Sequence, residues 1–66
     1  MVRLKGVDYA EIDGEHIAQT DLALLLNDGE KEDWIPKSLM KEWPEEKGDV
    51  GTAMVQEWFA IQEGWV

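Results

Sequence analysis

The chain has 66 residues, with 15 acidic and 6 basic side chains, a formal net charge of −9 and no cysteine. A chain this short forms one small domain with a marginal core, and without cysteine it has no disulfide, zinc ribbon or iron–sulfur cluster, so packing or association into a homo-oligomer must stabilise it. The charge disfavours direct binding to nucleic acid or to an anionic membrane surface, because like charges repel.

The hydropathy pattern predicts neither a signal peptide nor a membrane span. Residues 1–6 are followed at once by polar side chains, whereas a signal peptide has an apolar core of about 7–15 residues. The longest apolar run covers residues 22–26, far short of the roughly 20 residues that a membrane helix needs. We therefore expect a cytoplasmic protein.

The first of two Asp-Gly pairs is Asp13-Gly14. Asp-Gly between extended segments favours a two-residue hairpin turn, which needs positive φ at both positions. We therefore expect residues 7–12 to pair with residues 15–20. The expected cross-strand pairs are Ile12 with Glu15, Glu11 with His16, and Ala10 with Ile17. In this hairpin the Glu–His pair faces solvent and the Ala–Ile pair faces the core.

Residues 21–26 are compatible with either a helix or a strand. Thr20 or Asp21 could cap a short helix that ends at Asn27 or Gly29. As a strand, the same continuous apolar run would be buried on both faces. The strand is favoured because a second hairpin signal follows it directly.

That second hairpin signal is Asp28-Gly29, which is followed by the apolar pair Trp34-Ile35. The pattern predicts a second antiparallel pair of strands around this turn. Pro36 has no backbone N–H, so the strand containing Trp34 must end there or lie at an edge of the sheet.

The stretch from residue 38 to residue 49 contains one ambiguous segment and one loop. Residues 38–43 form either a short helical turn capped by Ser38 or a further strand. Residues 44–49 combine proline, glycine and charged side chains, which is typical of an exposed loop.

The C-terminal part predicts a short strand at Met54-Val55 and then about two helical turns over residues 57–63, with Trp58 and Ile61 on one helix face. Gly64 follows the helix and is expected to have positive φ at the C′ position. Trp65 would then supply the apolar contact that accompanies such a cap.

The 4 tryptophans are expected to replace missing cross-links, since each can bury roughly 150–250 Å². Trp34 and Trp58 are predicted to be core residues, because each lies in an apolar segment beside a predicted turn or cap. Trp43 stands next to Pro44 and two acidic residues, and it is the tryptophan most expected to be exposed; core packing is the alternative.

Two segments resemble a known group of proteins. The first runs from Thr20 to Leu39 and contains Trp-Ile-Pro-Lys-Ser, and the second runs from Val55 to Val66 and contains Glu-Trp followed by Gly-Trp-Val. Together they resemble small proteins of bacteriophages and prophages. The resemblance implies a β-hairpin, a short C-terminal helix and a bacterial host. Trp34-Ile35-Pro36 also resembles the last strands of SH3-like barrels.

The residues do not predict catalysis or metal binding. His16 is the only histidine and is expected at the surface, while Ser38 is the only serine and nothing marks the two as neighbours. Residues 27–33 are acidic but lack the alternating oxygen ligands of a calcium loop. We expect no enzyme activity, no metal and no cofactor.

The expected fold is mostly β, a small α+β domain over residues 1–66. Antiparallel β-hairpins would form a small sheet or an SH3-like barrel, with a short C-terminal helix. Two loops carry most of the acidic side chains, and Trp43 lies near one of them. The candidate protein-binding residues are Asp28, Glu30, Glu32, Asp33, Trp43, Glu45, Glu46 and Asp49.

Two functions from different classes fit these features. In the first, the chain is an inhibitor or modulator that binds a basic surface of a host defence or regulatory protein, with carboxylates in the place of phosphates. In the second, it is a structural or accessory subunit of a phage replication, recombination or virion complex that docks through an exposed aromatic patch. The alternative to both is that the acidic side chains serve solubility alone.

Overall fold

A computed structural model describes the backbone of residues 2–4 and 6–66, and the side chains from Gly6 onward. The described elements, in chain order, are strands β1 (Val2–Leu4), β2 (Val7–Gln19), β3 (Ala23–Asn27) and β4 (Glu32–Pro36), a 3-10 helix (Lys37–Leu39), strands β5 (Met40–Glu42) and β6 (Val50–Gln56), and helix α1 (Glu57–Gln62).

The strands form one antiparallel sheet in the order β4-β3-β2-β6-β5, and β1 pairs with the start of β2. This confirms the expected mostly β fold with a short C-terminal helix. Of the two expected forms, the open sheet is the one observed, with β4 and β5 at its edges. Strand β2 is central because β6 pairs with its first part and β3 with its second part.

The first predicted hairpin is wrong, because Asp13 and Gly14 lie inside the 13-residue strand β2. In place of the expected partners within β2, Ala10, Glu11 and Ile12 are paired with residues of β6. The observed pairs are Ala10 with Val55, Glu11 with Met54, and Ile12 with Ala53. An Asp-Gly pair makes a hairpin turn only where its flanking segments pair with each other, and here the first flank pairs with β6 and the second with β3.

The second predicted hairpin is confirmed. Strands β3 and β4 pair with Leu24 opposite Ile35, so the strand alternative for residues 21–26 is correct from Ala23 onward. The connection is longer than two residues, since Asn27 pairs with Glu32. Pro36 ends β4 at an edge of the sheet, where a missing N–H breaks no ladder.

For residues 38–43, both expected alternatives occur in succession. The 3-10 helix comes first and β5 follows it, and Ser38 lies within the helix and makes no cap. The expected loop at residues 44–49 is present, although Pro44 is buried. The short strand expected at Met54 is part of the longer β6.

Helix α1 ends as its sequence predicts. Gly64 has φ of 80°, and its N–H donates to the Ile61 carbonyl at 3.2 Å. The Trp65 N–H donates to the Ala60 carbonyl at 2.8 Å, and the Trp65 side chain is buried. These two bonds and the apolar contact form a Schellman motif.

The core contains residues from β2, β3, β4, β5, β6 and the C-terminal segment, so the sheet must curve for its two edges to share one cluster. The buried members are Ala10, Ile12, Leu24, Leu26, Ile35, Met40, Ala53, Val55, Ala60 and Trp65. Trp43 and Phe59 pack against this cluster from its margin.

The predicted core positions of two tryptophans are wrong. Trp34 is 44% exposed and Trp58 is 54% exposed. Successive side chains on a strand point to opposite faces, and Ile35 takes the inward position of β4. On α1, Ala60 is the residue that faces the core. Trp58 and Ile61 share a helix face as predicted, but that face is exposed to solvent.

Candidate functional site: an acidic groove beside Trp43

A groove of about 560 Å³ lies between the end of β5, the loop that follows it and the first half of β6. We call it the acidic groove, because three carboxylates and a single lysine are among its lining residues. These residues are Lys41, Glu42, Trp43, Pro44, Glu45, Asp49, Val50, Gly51 and Thr52. The groove is therefore a concave surface with more negative than positive side chains, and it also contains an aromatic ring.

Backbone hydrogen bonds hold the wall of the groove against β2. The His16 N–H donates to the Asp49 carbonyl at 2.9 Å, and the Gly48 N–H donates to the His16 carbonyl at 2.8 Å. Within the loop, the Asp49 N–H donates to the Glu46 carbonyl at 3.0 Å, and Gly48 has φ of 92°. A glycine suits that left-handed conformation, so the loop is ordered by its own backbone.

His16 supports the groove from behind, and the expectation that it lies at the surface is wrong. Its side chain is fully buried, and Nδ1 lies 2.7 Å from the Pro44 carbonyl oxygen. A carbonyl oxygen only accepts, so Nδ1 carries the proton and donates. The other ring nitrogen, Nε2, has no hydrogen-bond partner among the described residues. His16 therefore ties the proline of the groove to the central strand.

The position of His16 follows from a pattern that the hairpin interpretation concealed. Buried residues alternate along β2 at positions 10, 12, 14 and 16, which is the period of a single strand with one face in the core. Counting this period through Asp13-Gly14 places His16 on the buried face. The signal was present in the sequence, but the turn interpretation interrupts the count.

Trp43 is half-buried and lies between the core and the groove. One part of the ring packs against the core cluster, and the Lys37 Nζ lies 5.9 Å from the ring centroid. This is within the range of a cation–π contact. Trp43 therefore fits both alternatives in part, because it packs on the core and is also partly exposed in the groove.

The acidic candidates fall into two separate groups. Glu45 and Asp49 line the acidic groove, and Glu46 is exposed in the same loop. Glu42 is a further carboxylate of the groove, and it lies outside the two acidic loops predicted from the sequence. The other group lies on the β3–β4 hairpin and consists of Asp28, Glu30, Glu32 and Asp33.

The strand register places these two groups of carboxylates toward opposite ends of β2. Strand β3 ends with Asn27 opposite Glu15, and its antiparallel direction leads the following turn toward Asp13. The loop of the groove instead bonds to His16 and, through the Glu45 carbonyl, to the Gln19 side chain at 3.5 Å. The structure therefore brings together Trp43, Glu45 and Asp49, without the hairpin carboxylates.

Several hairpin carboxylates are occupied by local hydrogen bonds. Asp28 Oδ1 accepts from the N–H groups of Glu30 at 2.9 Å and Lys31 at 2.7 Å. These bonds, with the Glu30 N–H first, hold the pKa of the Asp28 carboxyl below its usual range. Glu32 Oε1 accepts from the Asn27 side chain at 3.0 Å. These carboxylates stabilise the turn. In the part of the chain that the structure describes, no group of three acidic or histidine side chains could hold a metal ion.

A second exposed surface lies on α1. Trp58 and Ile61 are both more than half exposed, and together with Val7 they border a shallow depression between the helix and the start of β2. We call these three residues the helix patch. The Trp58 indole N–H donates to Gln56 Oε1 at 2.7 Å, which fixes the ring at the surface.

No match to this chain was found among protein-family models, curated proteins or solved structures. Over residues 2–4 and 6–66, no helix has the length and apolar character needed to cross a membrane.

Proposed function

We propose that this chain is a non-enzymatic protein-binding module whose acidic groove receives a basic segment of a partner protein. The observation that carries the proposal is the placement of Trp43 and Pro44 beside Glu42, Glu45 and Asp49 in one groove. In the bacteriophage setting that the sequence resemblance implies, the partner is a host defence or regulatory protein, and binding inhibits or modulates it.

The chemistry of the groove matches lysine and arginine. Carboxylates accept short, charge-assisted hydrogen bonds from guanidinium and ammonium groups. The ring of Trp43 offers a face on which a cation can stack, as the Lys37 contact within the chain already illustrates. A net charge of −9 adds a long-range field that accelerates encounter with a basic partner and opposes approach to DNA.

A salt series with charge-reversal variants tests the proposal. The immobilised chain is used to capture partners from a bacterial host lysate at low and high salt. Replacing Glu45, Glu46 and Asp49 with Lys should abolish capture. The matched control replaces Glu11, Glu15 and Asp21 with Lys, which changes the net charge equally at exposed positions outside the groove.

The expected result is salt-sensitive capture that the groove variant loses and the control variant retains, with thermal stability unchanged in both. Equal loss in both variants would show that only net charge matters. The proposal would also be wrong if the wild-type chain bound duplex or single-stranded DNA at physiological salt.

The second candidate function is an accessory subunit that docks on a phage replication, recombination or virion protein through exposed aromatic side chains. The helix patch favours it, because Trp58 and Ile61 place apolar area at the surface of α1. Apolar contacts do not weaken with salt as charge pairs do. Capture that persists at high salt and is lost on Trp58→Ala, while the groove variant binds normally, would support this candidate over the first.

A further inference from the structure

Strand β6 has an edge that the rest of the chain leaves open. All seven residues of β6 pair with β2, from Val50 opposite Glu15 to Gln56 opposite Tyr9. On its other edge, β5 pairs only with Met54 and Val55. Residues 50–52 therefore have no strand partner on that edge among the described residues, and these same residues line the acidic groove.

The direction of the backbone groups follows from the ladder. The Lys37 N–H donates to the Leu22 carbonyl, so the even-numbered residues of β3 face β4 and Asn27 faces β2. Its partner Glu15 therefore faces β3 and away from β6, and Val50, which is opposite Glu15, faces away from β2. In an antiparallel ladder, successive residues direct their N–H and C=O groups to opposite sides. Gly51 accordingly faces β2, while Val50 and Thr52 direct their backbone groups toward the groove. An unpaired edge of this kind is a template for another strand.

The segment that follows β5 does not continue the ladder along this edge. Strand β5 ends at Glu42, and Pro44, two residues further, has no N–H to donate. The Pro44 carbonyl is already engaged by His16. The Pro44 ring packs beside Gly51: a Cβ added to Gly51 would lie about 3.7 Å from Pro44 Cγ. The proline ring therefore lines the groove next to the open edge.

We propose that the occupant of the acidic groove is an extended peptide segment carrying lysine or arginine at alternate positions, which adds to β6 as a strand along residues 50–52. This rests on the proposed function and specifies its partner. Alternate side chains of a strand share one face, so alternate basic residues would meet Glu42, Glu45 and Asp49 together. A second copy of this chain is disfavoured as the occupant, because each copy carries a net charge of −9.

Three synthetic peptides test the added strand. The first is an acetylated, amidated hexapeptide of alternating arginine and valine. The second and third have the same side chains with the backbone nitrogens of either all valines or all arginines methylated. N-methylation removes donors and adds bulk on one edge while keeping the charge and the extended conformation. Binding to the wild-type chain is measured by calorimetry at low salt, and amide hydrogen exchange is followed at Val50 and Thr52.

The unmethylated peptide should bind and slow amide exchange at Val50 and Thr52, and at least one methylated peptide should bind about ten-fold more weakly, because main-chain hydrogen bonds are lost. In the protein, Val50→Pro should weaken binding of the unmethylated peptide while Val50→Ala does not, since proline is tolerated at the first position of a strand but removes the N–H. The methylated peptides need no change in the protein, so the test does not depend on that variant folding.

Equal binding of all three peptides would overturn the added strand and leave a groove that recognises charge alone. If the groove captures a partner from lysate but binds none of the three peptides, the proposed function stands and the basic strand is wrong. If neither peptides nor lysate partners depend on Glu45, Glu46 and Asp49, both proposals fail. Sedimentation that showed a dimer broken by Val50→Pro would identify a second copy as the occupant and overturn the proposal.

Discussion

At the scale of single residues, Gly14 is required for close packing rather than for a turn. A Cβ at this position would lie 2.8 Å from the Asn27 carbonyl oxygen and 3.0 Å from Leu26 Cγ. Both neighbours are held in β3, so neither can move aside without disturbing the ladder. Its cross-strand partner Gly51 meets only Pro44, at 3.7 Å or more, which is ordinary contact.

The first prediction compares these two glycines. Gly14→Ala should lower the free energy of unfolding by about 1–3 kcal/mol, the usual cost of overpacking. Gly51→Ala is the matched control, since the same change occurs at the paired position of the neighbouring strand, and it should have a much smaller effect. Denaturant unfolding measures both, and equal destabilisation would contradict the assigned register.

The second prediction concerns Asp28. Because its pKa is lowered in the folded chain, its contribution to stability is present above the unfolded pKa of about 3.9 and is lost as pH falls through the lower folded value. Asp28→Ala should cost about 1 kcal/mol near neutral pH, similar to the loss of a helix N-cap.

The comparison with Asp28→Asn isolates the charge, since asparagine keeps an acceptor oxygen for the N–H groups of Glu30 and Lys31. The difference in stability between the wild type and Asp28→Asn should shrink as pH falls below about 4. A difference that stays constant from neutral to acid pH would show that the charge of Asp28 contributes nothing to the turn.

At the scale of elements, the C-terminal helix depends on its cap because it has only six residues. The Schellman bonds of Gly64 and Trp65 satisfy two of the carbonyl groups that such a short helix leaves free. The cap also brings the Trp65 ring into the core, so local backbone geometry and tertiary packing are linked at one glycine.

The third prediction is that Gly64→Val destabilises the chain by more than about 1 kcal/mol, since a β-branched residue is strained at a φ of 80°. Gly64→Asn is the control, because asparagine tolerates the left-handed region better than valine does. Thermal unfolding should rank the wild type above Gly64→Asn and Gly64→Asn above Gly64→Val. Equal melting temperatures for the two variants would contradict the strained cap.

At the scale of the whole molecule, the core contains Trp65, and Trp43 packs against its margin. Trp65 is buried, with the Lys31 Nζ 5.3 Å from its ring centroid, whereas Trp34 and Trp58 are exposed. This cation–π contact joins the β3–β4 connection to the segment that follows α1. Loss of Trp65 would therefore remove both a core side chain and the contact with Lys31.

The fourth prediction ranks the tryptophans. Trp65→Ala should cost about 3–5 kcal/mol, as for a large aromatic side chain removed from a core, which is enough to unfold a domain of this size. Trp34→Ala should leave a cooperative unfolding transition with a change of about 1 kcal/mol or less. Circular dichroism during thermal unfolding distinguishes them, and a folded Trp65→Ala beside an unfolded Trp34→Ala would contradict the observed core.

The sequence by itself determined the features that depend on neighbouring residues. Turn chemistry at Asp28-Gly29 and the run of apolar residues before it predicted the β3–β4 hairpin. Gly64 predicted the end of α1, and composition predicted an acidic surface. Each depends on φ preferences or side-chain patterns within a few residues, which a sequence displays directly.

Only the tertiary structure decided which segments pair across long distances in the chain. Because β2 pairs with β6, Asp13-Gly14 lies in the middle of a strand and not in a turn, and His16 is buried. The same fold places Glu42, Glu45 and Asp49 beside Trp43. A local preference for a turn is small beside the hydrogen bonds and apolar burial that a seven-residue ladder supplies, so the distant partner overrides it.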